Sequence, residues 1–314
     1  MARHIEVVAY NPNWPKIFDE ESQIIKNSLR DNCTNLHHVG STAVVGLAAK
    51  PKIDIIAVVK NGNDSIEPLE KSGYAYRGEW NIPFKFGFTR RDTNQVNLHV
   101  LEEKHPEIEL SIVFRDHLRA NPKSMQQYAK IKETLLRDPS SFEKQEGMPF
   151  ANYTLCKDDF IRSVLLKEGY MGKRFVHATH VLEWKDYHRI QKEQIFDPIG
   201  VKYDPYNQTI AANGHYHFIL SKGMQTLSVA HIEFLNSNEA ALRLLATDFK
   251  YQSEGYGREM MYLVEKWLKH QRINSLKIHV RLNAEGFYRK LGYQNCLFND
   301  ISIQPQYIAL GKIL

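Results

Sequence analysis

Cysteine, long apolar runs and charge imbalance are all scarce in this chain, and each shortage removes a class of protein. Its 314 residues hold three cysteines, Cys33, Cys156 and Cys296, odd in number and far apart. That argues for reduced thiols in a reducing compartment and against a disulfide framework or a zinc knuckle. No apolar run approaches the ~20 residues of a membrane span, so no membrane partner is expected. The opening MARHIEVVAYNPNW lacks the regions of a signal peptide, which predicts a cytoplasmic protein. A net charge of +5 is mild. It makes no case for nucleic acid, which wants a clustered basic face with aromatics. Repeats and low-complexity segments are also missing. What remains is globular in composition, 43% hydrophobic and 25% charged, and long enough for two domains with separate cores.

The stretch Leu242–Gly257, LRLLATDFKYQSEGYG, predicts a strand, a turn, and a helix that starts near Gly257. Met260 or Met261, Val264, Trp267 and Leu268 fall on one face of that helix. A strand that runs through a glycine-containing turn into a helix presents free backbone N–H groups toward one point, and the helix dipole adds positive potential there. Such a place suits an anion such as pyrophosphate. Gly255 and Gly257 would let the backbone approach the phosphates, although a tight strand–helix turn alone would also use them. Ser275–Arg281 then alternates Leu276, Ile278 and Val280 like a half-buried strand. Asn283–Tyr293, NAEGFYRKLGY, predicts a short helix stopped by Gly292.

With the Q-x-x-G-x-G turn after a strand and the N-A-x-x-F-Y-x-x-L-G-Y segment following in order, the chain resembles the GNAT family of acyl-CoA-dependent N-acetyltransferases. The resemblance implies acetyl-CoA as cofactor and a small-molecule or peptide amine as acceptor. It places the pyrophosphate on Gln252 and the backbone of Ser253, Glu254, Gly255, Tyr256, Gly257 and Arg258. It sets the pantetheine arm against the strand before the turn, with a backbone donor to the developing oxyanion near Leu245, Ala246 and Thr247. Tyr288 would protonate the leaving thiolate, with a core aromatic beside Phe287 as the alternative. Asn283 would cap the short helix or contact the cofactor.

A deprotonated amine also needs a base. His231 and Glu233, two apart on the predicted strand Gln225–Phe234, share a face and could relay a proton, and Glu239 is a third candidate. Solvated hairpin positions are the alternative. His215-Tyr-His217 has the spacing of metal ligands, but no third ligand is evident and no metal is expected. His215–Leu220 and Gln225–Phe234 form a hairpin, and Trp184–Phe196 reads as a helix.

In the first half, Asn13-Trp14-Pro15 opens a helix that buries Ile17, Phe18, Ile24, Ile25 and Leu29. Ile53–Val59, IDIIAVV, reads as a central strand covered on both faces. Asp54 near its start is costly there unless paired, at the strand end, or on a metal. Asn121-Pro122 caps a helix carrying Met125, Tyr128, Ile131 and Leu135, and Phe160, Ile161, Val164 and Leu165 mark a last helix before Gly169.

His38-Val-Gly40-Ser41-Thr42, Gly46-Leu47, Lys50-Pro51 and Asp54 resemble the GrpB family, with Val45 where that family has proline. Asn97-Leu-His99-Val, Phe114-Arg-Asp-His-Leu-Arg119, Tyr128 and Lys132 match it further. The resemblance, from about Ile5 to Leu166, implies a nucleotidyltransferase-like mixed sheet, with Gly40, Ser41, Thr42, Lys50 and Asp54 binding phosphate or a nucleotide. In that superfamily an Asp pair holds two Mg²⁺ ions, but here Ile56 and His99 stand where further acids belong, and one carboxylate is a poor cage.

The expectation is therefore an α/β (α+β) protein of two domains. Residues 1–168 form a GrpB, nucleotidyltransferase-like domain. Residues 173–314 form a GNAT acyl-CoA N-acyltransferase domain, with Gly169–Lys173 as linker. A non-catalytic regulatory protein that binds CoA and a nucleotide, and nucleotidyl transfer with an unusual metal set, are the alternatives.

Overall fold

The computed structural model describes residues 6–143, 151–210, 212–298 and 307–314. The chain divides into two compact units, Met1–Arg174 and Phe175–Leu314.

In the first unit the elements run α1 (Trp14–Leu29), β1 (Cys33–Val39), β2 (Ile53–Val59), α2 (Ile66–Lys71), β3 (Ala75–Gly78), β4 (Lys85–Arg90), β5 (Val96–Glu102), α3 (Pro106–Ala120), α4 (Pro122–Arg137), α5 (Asn152–Leu155) and α6 (Asp158–Lys167). The sheet order is β1-β2-β5-β4-β3. β2 and β5 are parallel and the other pairs antiparallel, so the sheet is mixed, as the resemblance implies. Strand β2 is apolar on both faces for a visible reason. Ile55, Ala57 and Val59 join Ile25 and Leu29 of α1, while Ile56 and Val58 join Val39, Leu101 and Ile108. Burial of two strand faces at ~25 cal/mol per Å² of apolar surface is what fixes this register.

Two local readings change. Asn121 stands before α4, but its side chain makes no cap there. It donates instead to the His117 carbonyl at 2.9 Å, the preceding helix end being the nearer acceptor. Gly169 stops α6 with φ 67°, yet Tyr170 behind it is buried and donates to the Pro106 carbonyl at 3.1 Å. The chain from 169 to 173 is thus anchored at Tyr170 and is not a free linker.

The second unit takes up β6 (Lys173–His177), α7 (Val181–Gln191), α8 (Pro205–Gln208), β7 (His215–Lys222), β8 (Gln225–Phe234), β9 (Glu239–Thr247), α9 (Tyr256–His270), β10 (Ser275–Arg281), α10 (Glu285–Lys290), β11 (Gln294–Asn295) and β12 (Tyr307–Ile313). Its sheet order is β11-β12-β10-β9-β8-β7-β6. Helix α7 begins three residues earlier than the periodicity suggests, because Glu183 accepts the N–H groups of Thr179 and His180, both at 3.0 Å. Beyond Gln191 the helix widens to a π turn over Lys192–Phe196. The two helices cover opposite faces of the sheet. Tyr187 of α7 reaches His217, whereas Trp267 of α9 packs on Tyr216 and Phe218, the alternate residues of β7.

Candidate functional site

Strands β9 and β10 pair in parallel from Glu239 opposite Ser275 to Leu242 opposite Ile278, and there the pairing ends. Both strands continue, to Thr247 and Arg281, so a wedge opens between them. The cause lies in β9. His231 of β8 faces Leu244 while Ile232 faces Leu242, which leaves Arg243 as the extra residue of a bulge. A bulge bends its strand and raises the local twist, which turns the β9 end away from β10. Among the described residues, backbone groups on that side of Leu244–Thr247 consequently have no ladder partner, while Leu245, Ala246 and Thr247 stay paired to β8 on the other.

At the end of β9 the turn folds back on the strand. Gln252 donates its amide to the Thr247 carbonyl at 3.2 Å and to Gln194 at 2.9 Å. Its side chain braces the turn. Gly255 is the N-cap of α9 at φ 90°, where an added Cβ would stand in open space. Ser253 also has positive φ, at 65°. Gly257 needs its missing Cβ for another reason: one placed there would lie 3.3 Å from Thr247 Oγ1 and 3.7 Å from the Phe287 ring. The first helical bond is Glu259 N–H to Gly255 O at 3.0 Å, so the N–H groups of Tyr256, Gly257 and Arg258 precede the ladder. Glu254 and Arg258 are exposed at this turn. The geometry is that of a helix start able to take an anion beside an open strand edge.

Tyr288 lies on the α9 side of the sheet. Its ring sits edge-on to Tyr293, whose hydroxyl donates to Glu265 of α9 at 3.0 Å. Tyr288 is only 7% exposed, burial pushes its phenol up, and its hydroxyl has no hydrogen-bond partner among the described residues. A neutral phenol with a free proton donor is what such an environment preserves. Asn283 does not cap α10. The N-cap position is Ala284, no side chain caps it, and Asn283 is exposed.

His231 and Glu233 do share a face of β8, the face that carries His215 and His217 of β7 and lies under α7. His231 is 6% exposed, 3.0 Å from His215 Nδ1, and its ring stacks on His217 at 4.3 Å. Burial first, then His217, His215 and Arg243, push its pKa down to about 2, so it is a neutral imidazole and alone a weak base. Glu233 accepts from the bulged Arg243 at 2.5 Å, with His215 Nε2 at 3.9 Å from its other oxygen. Base and acid candidates are therefore on opposite faces of the sheet. Glu239 is at the far end of β9, held by Lys277 at 2.7 Å.

In the first unit, Ser41, Thr42, Lys50 and Asp54 meet around a cavity of about 620 Å³. Gly40 stands behind them at φ 70°, where a Cβ would fall 2.5 Å from Asp54 Oδ2. The loop is clamped from α3 and α4: Arg115 donates to His38 O at 3.0 Å, Arg119 to Ala43 O at 2.9 Å, and Lys132 to Ala48 O at 2.5 Å. Asp54 accepts from Asn97 at 2.8 Å, and burial raises its carboxyl above the usual range. Register places Asp54 opposite Asn97 and Ile56 opposite His99. Ile56 is 1% exposed in an apolar cluster, and burial together with Lys85 keeps His99 neutral.

The family model described as "GrpB protein" matches residues 4–167, more than half of the chain, and that described as "Acetyltransferase (GNAT) domain" matches 185–302. The chain belongs to the GrpB family and carries a GNAT domain behind it. The UPF0157 protein BH1888 of Halalkalibacterium halodurans is 37% identical over 48% of this chain and 84% of its own. Among solved structures, GrpB from Enterococcus faecalis is 30% identical with a TM-score of 0.45, covering 51% of this chain and 94% of its own. An acetyltransferase from Streptococcus agalactiae is 11% identical with a TM-score of 0.40, covering 46% and 99%.

The five expected phosphate-binding residues are only part of the cavity. Asn97, His99 and Lys132 of the further GrpB matches line it too, as do Lys52, Trp80, Tyr153, Thr154 and Lys157. Tyr153 lies between two ammonium groups, Lys50 Nζ at 4.1 Å and Lys157 Nζ at 4.5 Å from its ring centre. Burial pushes Lys50, Lys132 and Lys157 down to about 8, and neighbouring lysines add to the effect at each. Lys50 and Lys132 fall in GrpB motifs, but no spacing links Lys157, Tyr153 or Trp80 to them.

Proposed function

We propose that the GNAT domain is an acetyl-CoA-dependent N-acetyltransferase and that the GrpB domain binds a phosphate-bearing ligand, a nucleotide among the candidates. The observation that carries the first part is the wedge between β9 and β10, which ends at the Gly255/Gly257 turn. The residues present suit acetyl-CoA. Tyr256, Gly257 and Arg258 offer N–H groups at a helix start, open space lies over Gly255, and among the described residues the pairing of β9 with β10 ends at Leu242.

When bound, acetyl-CoA supplies a thioester whose acetyl group can pass to an amine. In this reading the backbone of Leu245, Ala246 and Thr247 aligns the acyl arm and donates to the charge that develops on the carbonyl oxygen. Tyr288 keeps a proton ready for the departing sulfur. Glu233 takes the amine proton, with His215 and His231 behind it as a hydrogen-bonded pair. The acceptor is a small-molecule or peptide amine, and three cysteines free of disulfides are in keeping with a cytoplasmic setting. No helix among the described residues is long and apolar enough to cross a membrane.

The test is calorimetric titration of acetyl-CoA, followed by release of free thiol with a panel of amines. Binding with acyl transfer to any amine supports the reading. Binding without transfer favours a regulatory CoA-binding protein, and no binding to folded protein overturns it.

A further inference from the structure

The cavity of the GrpB domain departs from the metal chemistry that a nucleotidyltransferase-like sheet implies. Two hard divalent ions need several oxygen ligands. Among the described residues the lining offers a single carboxylate, Asp54. One of its oxygens is engaged by Asn97, whose own side-chain oxygen accepts from Arg91. The position two residues on is Ile56, sealed in an apolar cluster, and across from it stands neutral His99. Four lysines face the same space. A dication would enter against their repulsion, whereas a polyanion would be drawn in. The donor set does not fit Mg²⁺.

Three of those ammonium groups are fixed by neighbours. Lys132 is held by Ser41 Oγ at 3.2 Å and by Ala48 O, and Lys50 and Lys157 flank Tyr153. Clustering of buried like charges is unfavourable unless a counter-charge arrives. At about 620 Å³ the cavity is in the range of small-ligand pockets, and larger than one phosphate needs. At its edge Trp80 is 50% exposed and held at φ 54°, a conformation bulky residues resist, with its ring against Gly87. A half-exposed indole beside a cationic cavity is a stacking surface for a base.

We propose that the cavity binds a nucleoside polyphosphate without divalent metal, its phosphates neutralised by Lys50, Lys132 and Lys157 and its base set against Trp80. The inference rests on the phosphate-binding reading above and adds the mode of binding and the ligand class. The lysines do the work that Mg²⁺ does elsewhere in such sheets.

The experiment is calorimetric titration of the full chain with inorganic triphosphate and with ATP, each in EDTA and each in excess Mg²⁺. The expected result is binding of both in EDTA, with ATP tighter, and no gain on adding Mg²⁺. Lys50→Met with Lys157→Met should remove both by at least about tenfold, while an unchanged circular dichroism spectrum and melting of the full chain report that it is folded. Trp80→Ala should weaken ATP about fivefold and leave triphosphate unchanged, in line with the worth of one stacked base. Binding that needs Mg²⁺ overturns the metal-free mode and leaves the phosphate reading standing. Failure of both anions to bind folded protein overturns both. Binding that survives the double lysine change places the anion elsewhere, and triphosphate bound as well as ATP removes the nucleoside.

Discussion

In the proposed function the GNAT domain would meet an anion with backbone N–H groups at the start of α9, whereas the GrpB domain would meet one with the ammonium groups of Lys50, Lys132 and Lys157. The first arrangement is built from consecutive residues and holds its partial charge at any pH. The second is gathered from a loop and two helical regions, costs desolvation to assemble, and carries charges that can be titrated away. The difference teaches where each site is vulnerable. A backbone site fails when a side chain fills it, and a side-chain site fails when a charge is lost.

The sharpest way to break this comparison is to put side chains into the backbone site. Gly255→Asp with Gly257→Asp adds two carboxylates, one of them at φ 90° and the other beside Thr247 and Phe287. Repulsion of a pyrophosphate and loss of close approach should lower acetyl-CoA affinity by at least ~100-fold, which is ~2.7 kcal/mol. Circular dichroism checks the fold, and triphosphate binding should be unaffected. Equal affinity in the variant would remove the turn from the site.

Tyr288→Phe comes next. A buried phenol with an unpartnered hydroxyl is cheap to replace by Phe, so stability should hold. Proton transfer in the transition state contributes roughly 10²- to 10⁴-fold, so turnover should fall at least ~100-fold while the acetyl-CoA dissociation constant stays within about twofold. Normal turnover would leave Tyr288 as a core aromatic against Phe287 and Tyr293.

The pH dependence separates the two sites without any mutation. Lysine is charged below its pKa, and the three cavity lysines sit at about 8. Triphosphate affinity should thus be complete near pH 7 and decline as pH rises through and above 8, because a bound anion lifts these values further. A fall of about tenfold or more by pH 9.5 is expected in calorimetry at constant ionic strength. Acetyl-CoA affinity should stay flat over the same range, since backbone amide N–H groups do not titrate there. A parallel decline at both sites would erase the distinction.

What was legible in the sequence follows the same division. The order strand, turn and α9 could be read because Leu242–Gly257 carries its information in adjacent residues, and the alternation of Ser275–Arg281 gave β10. Ser41, Thr42, Lys50 and Asp54 belong to one motif and do share a cavity. Lys157, Tyr153 and Trp80 carry no spacing that links them to it, so only the fold unites them. Period-two alternation put His231 and Glu233 on one face, but it could not show the bulge that brings Arg243 onto Glu233. Asn121 failed as a cap because its side-chain amide takes the His117 carbonyl that the packed helix end offers, and Asn283 because the helix starts one residue later, leaving it exposed.

The smallest effect tests how far the GNAT turn is a backbone site at all. Gln252 is the one polar side chain in the Gln-x-x-Gly-x-Gly pattern whose contacts are defined, and both go to protein: Thr247 O and Gln194 Oε1. Its neighbourhood is exposed, where a hydrogen bond contributes a net ~0.5–1.5 kcal/mol because water competes for both partners. Gln252→Ala should therefore loosen the turn and weaken acetyl-CoA about threefold, with turnover at saturation unchanged. A loss approaching that of the double glycine variant would mean that the amide leaves Thr247 to hold the ligand itself. The GNAT turn would then depend on a side chain, and it would stand closer to the lysine cavity than its geometry indicates.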